Sequence, residues 1–238
     1  MVMWWPCSHR EPGDNGLTTE RYARQLLHWG EENQQRISQA TVLIAGVGGL
    51  GAMVSQLLVR AGVGRLYLVD DGIIDWPDLN RQVLYGEKDI GCGKLQLASE
   101  RLCAINSATE ISLIEGRIDE DFVMPTDLNA VADCLDNYQS RFLLDELTPQ
   151  GVFFVHGGLH GDHGQVLTLQ SGKSQPLANI FAGACQPKGD IPVTPDNVVI
   201  VAGLMVNELF ATLFGEPKLL NRCLVISLID FHISFLDV

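Results

Sequence analysis

The chain has 238 residues, of which 46% are hydrophobic, and it carries a formal net charge of −13 at pH 7. A chain of this length and composition can bury one substantial hydrophobic core, which indicates one domain or two small ones. The acidic balance argues against a general nucleic-acid surface and against an anionic membrane surface, because both need a basic patch on the protein.

The N-terminal region divides into a leader and a helical segment. Proline, glycine and asparagine are frequent in the first 17 residues, which predicts a flexible leader. Residues 20–37 are polar apart from a helical set of Leu26, Leu27 and Trp29, which predicts one or two short helices. The start of the chain is too short and uncharged for a secretory signal, and we expect no membrane-spanning helix. Six cysteines without a Cys-x-x-Cys pair are typical of reduced thiols in a cytoplasmic protein.

A glycine-rich turn follows the first predicted strand. Residues 41–46 are a short apolar run typical of a buried parallel strand, and residues 52–61 are compatible with a helix. A second apolar run, residues 65–69, ends in Asp70 and Asp71. The glycines of the turn are Gly46, Gly48, Gly49 and Gly51, and Leu50 lies between the last two.

This βαβ unit is typical of a site for an adenine nucleotide. Glycine lets the backbone approach phosphate, and the N-terminus of a helix favours negative charge. A carboxylate at the tip of the second strand accepts hydrogen bonds from ribose hydroxyls. The glycine pattern alone does not distinguish NAD from ATP.

Strands and helices continue to alternate after this unit. The pattern predicts helices over residues 94–105, 137–147 and 198–214, and strands over residues 110–116, 129–134, 152–156, 165–169, 223–228 and 232–236. Residues 171–197 contain four prolines and predict a crossover segment at the active site. The chain is therefore predicted to be α/β, a Rossmann-like nucleotide-binding fold with a mixed, mostly parallel central sheet and antiparallel strands in its C-terminal half. Residues 18–238 are predicted to form a single domain.

Four further features supply charges near the nucleotide-binding unit. They are Arg24 within residues 21–25, the run at residues 78–82 with Arg81, Lys94, and Asp136 within residues 133–137. An enzyme that transfers AMP uses arginine and lysine to bind phosphates and a carboxylate to hold Mg²⁺. A hydride-transfer enzyme needs none of these four, so the set favours ATP.

At these residues the chain resembles the ThiF/MoeB/HesA family, the bacterial relatives of ubiquitin-activating enzymes. The resemblance is carried by residues 21–25, 46–51, 79–82, Lys94 and 133–137, and it extends through residues 156–157 and 164–166. It implies ATP-dependent adenylation of the C-terminal glycine of a small ubiquitin-like sulfur-carrier protein that ends in Gly-Gly. The adenylate would then serve sulfur transfer in thiamine, molybdopterin or related biosynthesis.

The resemblance also implies which residues form the site. Arg81 and Lys94 would neutralise the phosphates, Asp70 would hold the ribose, and Asp136 would bind Mg²⁺. Arg24 would reach the triphosphate bound to the neighbouring subunit, which implies a homodimer. The nucleotide-binding set is Gly46, Gly48, Gly49, Leu50, Gly51, Asp70, Asp71, Asp78, Asn80, Arg81, Gln82 and Lys94.

The sequence departs from the family pattern in three places. Asp78 stands where relatives usually carry asparagine, so its carboxylate either acts through Mg²⁺ or weakens ATP binding. Relatives more often separate the two acids after the second strand by one residue, whereas Asp70 and Asp71 are adjacent. The two Cys-x-x-Cys pairs that hold zinc in many relatives do not occur in this sequence, so we do not expect zinc. Cys185 lies in the crossover segment, where some relatives use a cysteine for thioester or persulfide chemistry, and a structural thiol is the alternative.

Two other functions remain open from the sequence. A non-catalytic nucleotide-binding module of the same fold would account for Asp78 and for the missing zinc cysteines. An NAD-dependent oxidoreductase would account for the glycines but leaves the four charged features without a role. His156, His160 and His163 are close enough in sequence for a metal site, but a glycine-rich turn is the better interpretation of that segment.

Overall fold

A computed structural model describes residues 2–4, 19–184 and 189–238. The described strands are β1 Val2–Trp4, β2 Thr41–Ala45, β3 Arg65–Asp70, β4 Glu110–Glu115, β5 Ala130–Asp133, β6 Phe153–His160, β7 His163–Gln170, β8 Arg222–Ser227 and β9 His232–Asp237. The described helices are α1 Thr19–Gln39, α2 Gly49–Ala61, α3 Lys94–Ile105, α4 Tyr138–Leu147, α5 Leu177–Ile180 and α6 Pro195–Phe214.

The strands form one sheet in the order β1-β4-β3-β2-β5-β6-β7-β8-β9. Its centre, from β4 to β6, is parallel, whereas β1 on one side and β7, β8 and β9 on the other are antiparallel to their neighbours. This arrangement confirms the predicted α/β fold with its mixed sheet. The chain runs from β2 through β3 to β4 on one side and then crosses to β5 on the other side of β2, and ligands of such sheets bind at this switch point.

The central strands are buried on both faces of the sheet. Every residue of β2 and of β5 is buried, as expected of apolar runs in parallel strands. Helices α2, α3 and α6 pack on one face and α4 packs on the other. Helix α6 has the length and hydropathy of a membrane-spanning segment (20 residues, mean hydropathy 1.8), yet 56% of its apolar stretch is buried within the protein. It is therefore described best as a core helix.

The β6–β7 hairpin differs from the prediction of two short strands around a glycine- and histidine-rich turn. Both strands continue through that segment, and His160 pairs with His163 at its end. The glycines make room for helix α6 instead. A Cβ atom on Gly157 would lie 2.1 Å from the sulfur of Met205, and helix α6 approaches Gly164 in the same way.

Helix α1 confirms the prediction of one or two short helices, because its backbone is non-helical at Gly30, where φ is 75°. Two other elements differ from the sequence prediction. Strand β1, which the sequence did not predict, pairs with the open edge of β4, and residues 5–18 lie outside the described chain. The crossover segment contains the short helix α5, and α6 begins at Pro195 rather than at residue 198.

Cys103 is disulfide-bonded, which contradicts the expectation of reduced thiols throughout.

Candidate functional site

The glycine-rich turn joins the carboxyl end of β2 to the first turn of α2. Gly46 has a φ of 86°, in the left-handed region that disfavours side chains. A Cβ atom on Gly51 would lie only 1.8 Å from the carbonyl oxygen of Gly46, so helix and turn are in direct backbone contact. The helix N-terminus therefore lies at the carboxyl edge of the sheet, where its dipole favours an anion.

Asp70 connects the ends of β2 and β3. One of its carboxylate oxygens accepts a hydrogen bond from the backbone N–H of Val47 at 2.8 Å, and the other accepts from that of Gly72 at 2.7 Å. The carboxylate thus lies beside the glycine turn, as the sequence predicts, and it also fixes the turn. Each oxygen keeps a second lone pair for a ligand hydroxyl.

Asp78 lies at the centre of a cluster of predicted nucleotide-binding residues. Its Oδ2 is 3.2 Å from Lys94 Nζ, and its Oδ1 is 3.7 Å from Arg81 Nη2. The amide of Gln82 donates to Oδ1 at 2.7 Å. The three charged side chains are only 14% to 23% exposed, so these charges interact more strongly than charges on an open surface.

The cluster adjoins the glycine turn and has unused capacity for a ligand. A Cβ atom on Gly49 would lie 3.4 Å from Arg81 Cγ, and one on Gly72 would lie 3.3 Å from Lys94 Cδ. Gln82 is 3% exposed, and its Oε1 has no hydrogen-bond partner within the described chain. Two cations and an unsatisfied amide oxygen beside a helix N-terminus fit a phosphate-bearing ligand with polar groups.

Tyr85 belongs to this site, although no sequence pattern indicated it. Its buried hydroxyl donates to the carbonyl oxygen of Val47 at 2.9 Å and lies 3.4 Å from that of Lys94. Burial raises the pKa of Tyr85. The hydroxyl therefore stays protonated and joins the glycine turn to the start of α3.

A buried ion pair lies under the carboxyl end of β5. Arg141 Nη1 is 3.1 Å from Asp133 Oδ2, and His156 Nδ1 is 2.7 Å from the same oxygen. Burial and the charge of Arg141 lower the pKa of His156, so the imidazole is neutral. Burial alone would raise the pKa of Asp133, but Arg141 and His156 together lower it, so the carboxylate is ionised. A neutral His156 that donates from Nδ1 accepts from Gln165 Nε2, 3.0 Å from its Nε2.

Asp136 follows this network in the loop between β5 and α4. Its side chain is exposed and borders a cleft of about 190 Å³. The cleft is also lined by Arg141, His156, His160 and His163. An open cleft beside an exposed carboxylate is accessible to a second ligand.

The other predicted site residues are distributed as follows. Arg24 is exposed on α1, and no hydrogen bond or ion pair connects it to the cluster in the part of the chain that the structure describes. Asp71 forms an ion pair with Arg117 at 2.6 Å. The amide of Asn80 is 3.5 Å from the carbonyl oxygen of Val193, which lies in the crossover segment. Cys185 lies outside the described residues.

The fold and this site define a Rossmann-like α/β protein with a nucleotide-type glycine turn. Residues 22–238 match the model of the ThiF family. The chain therefore belongs to the ThiF family.

Curated relatives agree with this assignment. The chain is 32% identical over 216 residues to the sulfur carrier protein adenylyltransferase of Thermus thermophilus, which covers 84% of this chain and 79% of that protein. It is 30% identical over 211 residues to the sulfur carrier protein ThiS adenylyltransferase of Bacillus subtilis, with 83% and 62% covered. The chain spans only 28% to 62% of the length of several other curated relatives that it matches.

The fold also matches Escherichia coli MccB, with a TM-score of 0.83, 21% identity, and coverage of 95% of this chain and 72% of that chain. A second MccB structure, determined with ATP, matches with a TM-score of 0.77 and 21% identity, and covers 92% of this chain and 71% of that chain. At these identities the likeness establishes the fold alone.

The neutral state of His156 predicts a pH dependence of stability. Its pKa is lowered in the folded chain from an ordinary value of 6.5. As the pH falls below about 6.5, the unfolded chain binds a proton that the folded chain does not, so the free energy of unfolding decreases. The slope from this group is at most about 1.4 kcal/mol per pH unit. Urea unfolding measured between about pH 7.5 and 5.5 should therefore show a steeper decline for the native chain than for His156→Gln.

His28→Gln, which changes an exposed histidine, is the matched control and should keep the native slope. Equal slopes for the native chain and His156→Gln would contradict the prediction, because they would show that the buried imidazole binds its proton over the same pH range as in the unfolded chain.

Proposed function

We propose that the protein catalyses ATP-dependent adenylation of the C-terminal glycine of a ubiquitin-like sulfur-carrier protein. The observation that carries the proposal is the convergence of Lys94 and Arg81 beside the glycine turn and Asp70. Fixed cations at this place would stabilise the charge that builds up on a triphosphate as pyrophosphate leaves. The family and the adenylyltransferases among the relatives support the same reaction.

The reaction forms one bond and breaks one. A carboxylate oxygen of the carrier attacks the α-phosphorus of ATP, the bond between that phosphorus and the bridging oxygen breaks, and pyrophosphate departs with the electron pair. The product is an acyl-adenylate. The glycine turn would bind along the phosphates and Asp70 would accept from the ribose hydroxyls. The cleft of about 190 Å³ beside Asp136 would receive the end of the carrier chain.

Asp136 is the residue that would hold Mg²⁺. It is an exposed carboxylate at the carboxyl end of β5, and hard divalent cations prefer carboxylate oxygens. When bound, the ion supplies positive charge that offsets the departing pyrophosphate. Lys94 and Arg81 would neutralise the phosphates from the other side.

Asp78 favours a second candidate, a non-catalytic nucleotide-binding module. Its carboxylate is paired with both predicted phosphate-binding cations, so those cations are not free for a ligand until the pairs rearrange. The thiamine, molybdopterin or related pathway of the carrier would then be served by another protein. NAD-dependent oxidation is the weaker alternative, because it assigns no role to Lys94 and Arg81.

The first test is ATP–pyrophosphate exchange with Mg²⁺ and a panel of small carrier proteins that end in Gly-Gly. Exchange that requires one carrier would establish adenylation and identify the substrate. Asp136→Ala should lower exchange at least about 100-fold without changing the thermal unfolding midpoint, since this carboxylate is exposed. ATP binding without exchange for every carrier would favour the non-catalytic module.

Asp78→Asn tests whether the carboxylate that stands in place of the family's asparagine weakens ATP binding. The change removes the anion next to Lys94 and Arg81, so both cations can bind phosphate without first losing a partner. We expect about tenfold tighter ATP binding by calorimetry, equivalent to about 1.4 kcal/mol. Asp127→Asn removes the same charge beside Arg65, which begins β3 at the opposite end of the sheet, and should leave ATP binding unchanged. Weaker binding by Asp78→Asn would mean that Asp78 helps to hold the metal.

Substitution of Arg24 tests whether the protein acts as a homodimer with sites shared between subunits. If Arg24 acts on the nucleotide of the neighbouring subunit, Arg24→Ala and Arg81→Ala should each be inactive alone. If the two variants are mixed in equal amounts and their subunits exchange, half of the dimers are mixed, and each mixed dimer has one intact site. The rate of ATP–pyrophosphate exchange should therefore recover to about a quarter of the native rate. Absence of recovery, with mixed dimers verified by native mass spectrometry, would place Arg24 in its own subunit's site or outside the chemistry.

A further inference from the structure

Arg141 on α4 is buried and bonds to the backbone on both sides of the site. It is 8% exposed, and its Nη1 donates to the carbonyl oxygen of Gly157 in β6 at 2.8 Å. Its Nη2 donates to the carbonyl oxygen of Leu135. The guanidinium therefore links the loop after β5 to the neighbouring strand.

Leu135 is held at both of its backbone polar groups. Its carbonyl oxygen accepts from Arg141, and its N–H donates to Asp133 Oδ1 at 3.1 Å. Asp133 is in turn paired with Arg141 and hydrogen-bonded to His156. Both backbone polar groups of Leu135, the residue immediately before Asp136, are thus held by one buried network.

The residue after Asp136 is fixed as well. The side chain of Asn137 accepts from the N–H of Ser140 at 2.8 Å and so caps α4, the helix that carries Arg141. Asp136 is exposed, whereas Asp133 and His156 are fully buried. The exposed side chain of Asp136 therefore belongs to a backbone segment that is held on each side.

We infer that Arg141 is a positioning residue, which sets the backbone of Leu135 and thereby aims the Asp136 carboxylate at the metal. The inference rests on the proposed function, which places Mg²⁺ at Asp136. His156 supports the same arrangement, because as a neutral donor it shares the charge of Asp133 without adding a second buried cation. Loss of the Arg141 guanidinium would leave the buried carboxylate of Asp133 without a compensating charge.

The test uses Mn²⁺ as a spectroscopic substitute for Mg²⁺. Binding of Mn²⁺ in the presence of saturating ATP is measured from loss of the free-ion signal in electron paramagnetic resonance. Binding of ATP alone is measured by calorimetry in the presence of a chelator. Arg141→Lys keeps the charge but cannot reach both Asp133 and Leu135, so we expect about tenfold weaker Mn²⁺ binding and unchanged metal-free ATP binding.

A double-mutant cycle shows whether Arg141→Lys affects Mn²⁺ binding through Asp136 or independently of it. In an Asp136→Ala background, Arg141→Lys should cause no further loss of Mn²⁺ binding, because the side chain that it positions is absent. Arg65→Lys, at the opposite end of the sheet and also in two ion pairs, is the matched control and should leave Mn²⁺ binding unchanged. If Arg141→Lys does not fold, His156→Gln replaces it, with a smaller loss and the same non-additivity.

The outcomes separate the inference from the function on which it rests. Equal losses in the native and Asp136→Ala backgrounds would overturn the positioning role while leaving Asp136 as the metal ligand. Native Mn²⁺ affinity in Arg141→Lys would do the same. Native Mn²⁺ affinity in Asp136→Ala would overturn both the proposed metal ligand and the positioning role.

Discussion

The contact of Gly51 with the carbonyl oxygen of Gly46 is the constraint on which the rest of the site depends. A distance of 1.8 Å to a virtual Cβ atom means that no side chain fits there, so α2 is seated directly on the turn that leaves β2. Asp70 and Tyr85 then fix the two ends of Val47, at its N–H and its carbonyl oxygen. A backbone held in this way keeps its position when a charged ligand arrives, which is the condition for electrostatic preorganisation.

The charged groups of the site fall into two sets with different duties. Lys94 and Arg81 are partly exposed, so they can exchange one anionic partner for another. Asp133 and Arg141 are buried, and their pairing serves the backbone rather than a ligand. Asp136 directly follows Leu135, whose backbone the buried set holds, and its own side chain is exposed. The division explains how a site can bind mobile phosphates and still keep a fixed geometry.

The sequence predicted those parts of the protein that depend on local pattern. The apolar strands, the glycine turn and helix α3 follow from periodicity and glycine placement. The prediction ended strand β6 too early, at His156, because Gly157 was interpreted as a turn glycine, whereas the approach of Met205 from α6, far along the chain, requires it. Tyr85 and Arg141 were missed for a similar reason, since their roles come from contacts to backbone groups that no local spacing indicates. The predicted place of Asp70 beside the turn needed only the order of the strands.

The ion pairs of Asp78 have a consequence for how an anion enters the protein. An open cationic pocket attracts its ligand over long distances and binds it less tightly as salt rises. In this molecule the cations already have a carboxylate partner, so entry of a triphosphate exchanges one set of ion pairs for another. The net number of ion pairs formed on binding is therefore smaller than the number of cations at the site. Ionic strength has correspondingly less influence on the affinity. The site therefore binds other anions weakly, and it can still bind a nucleotide.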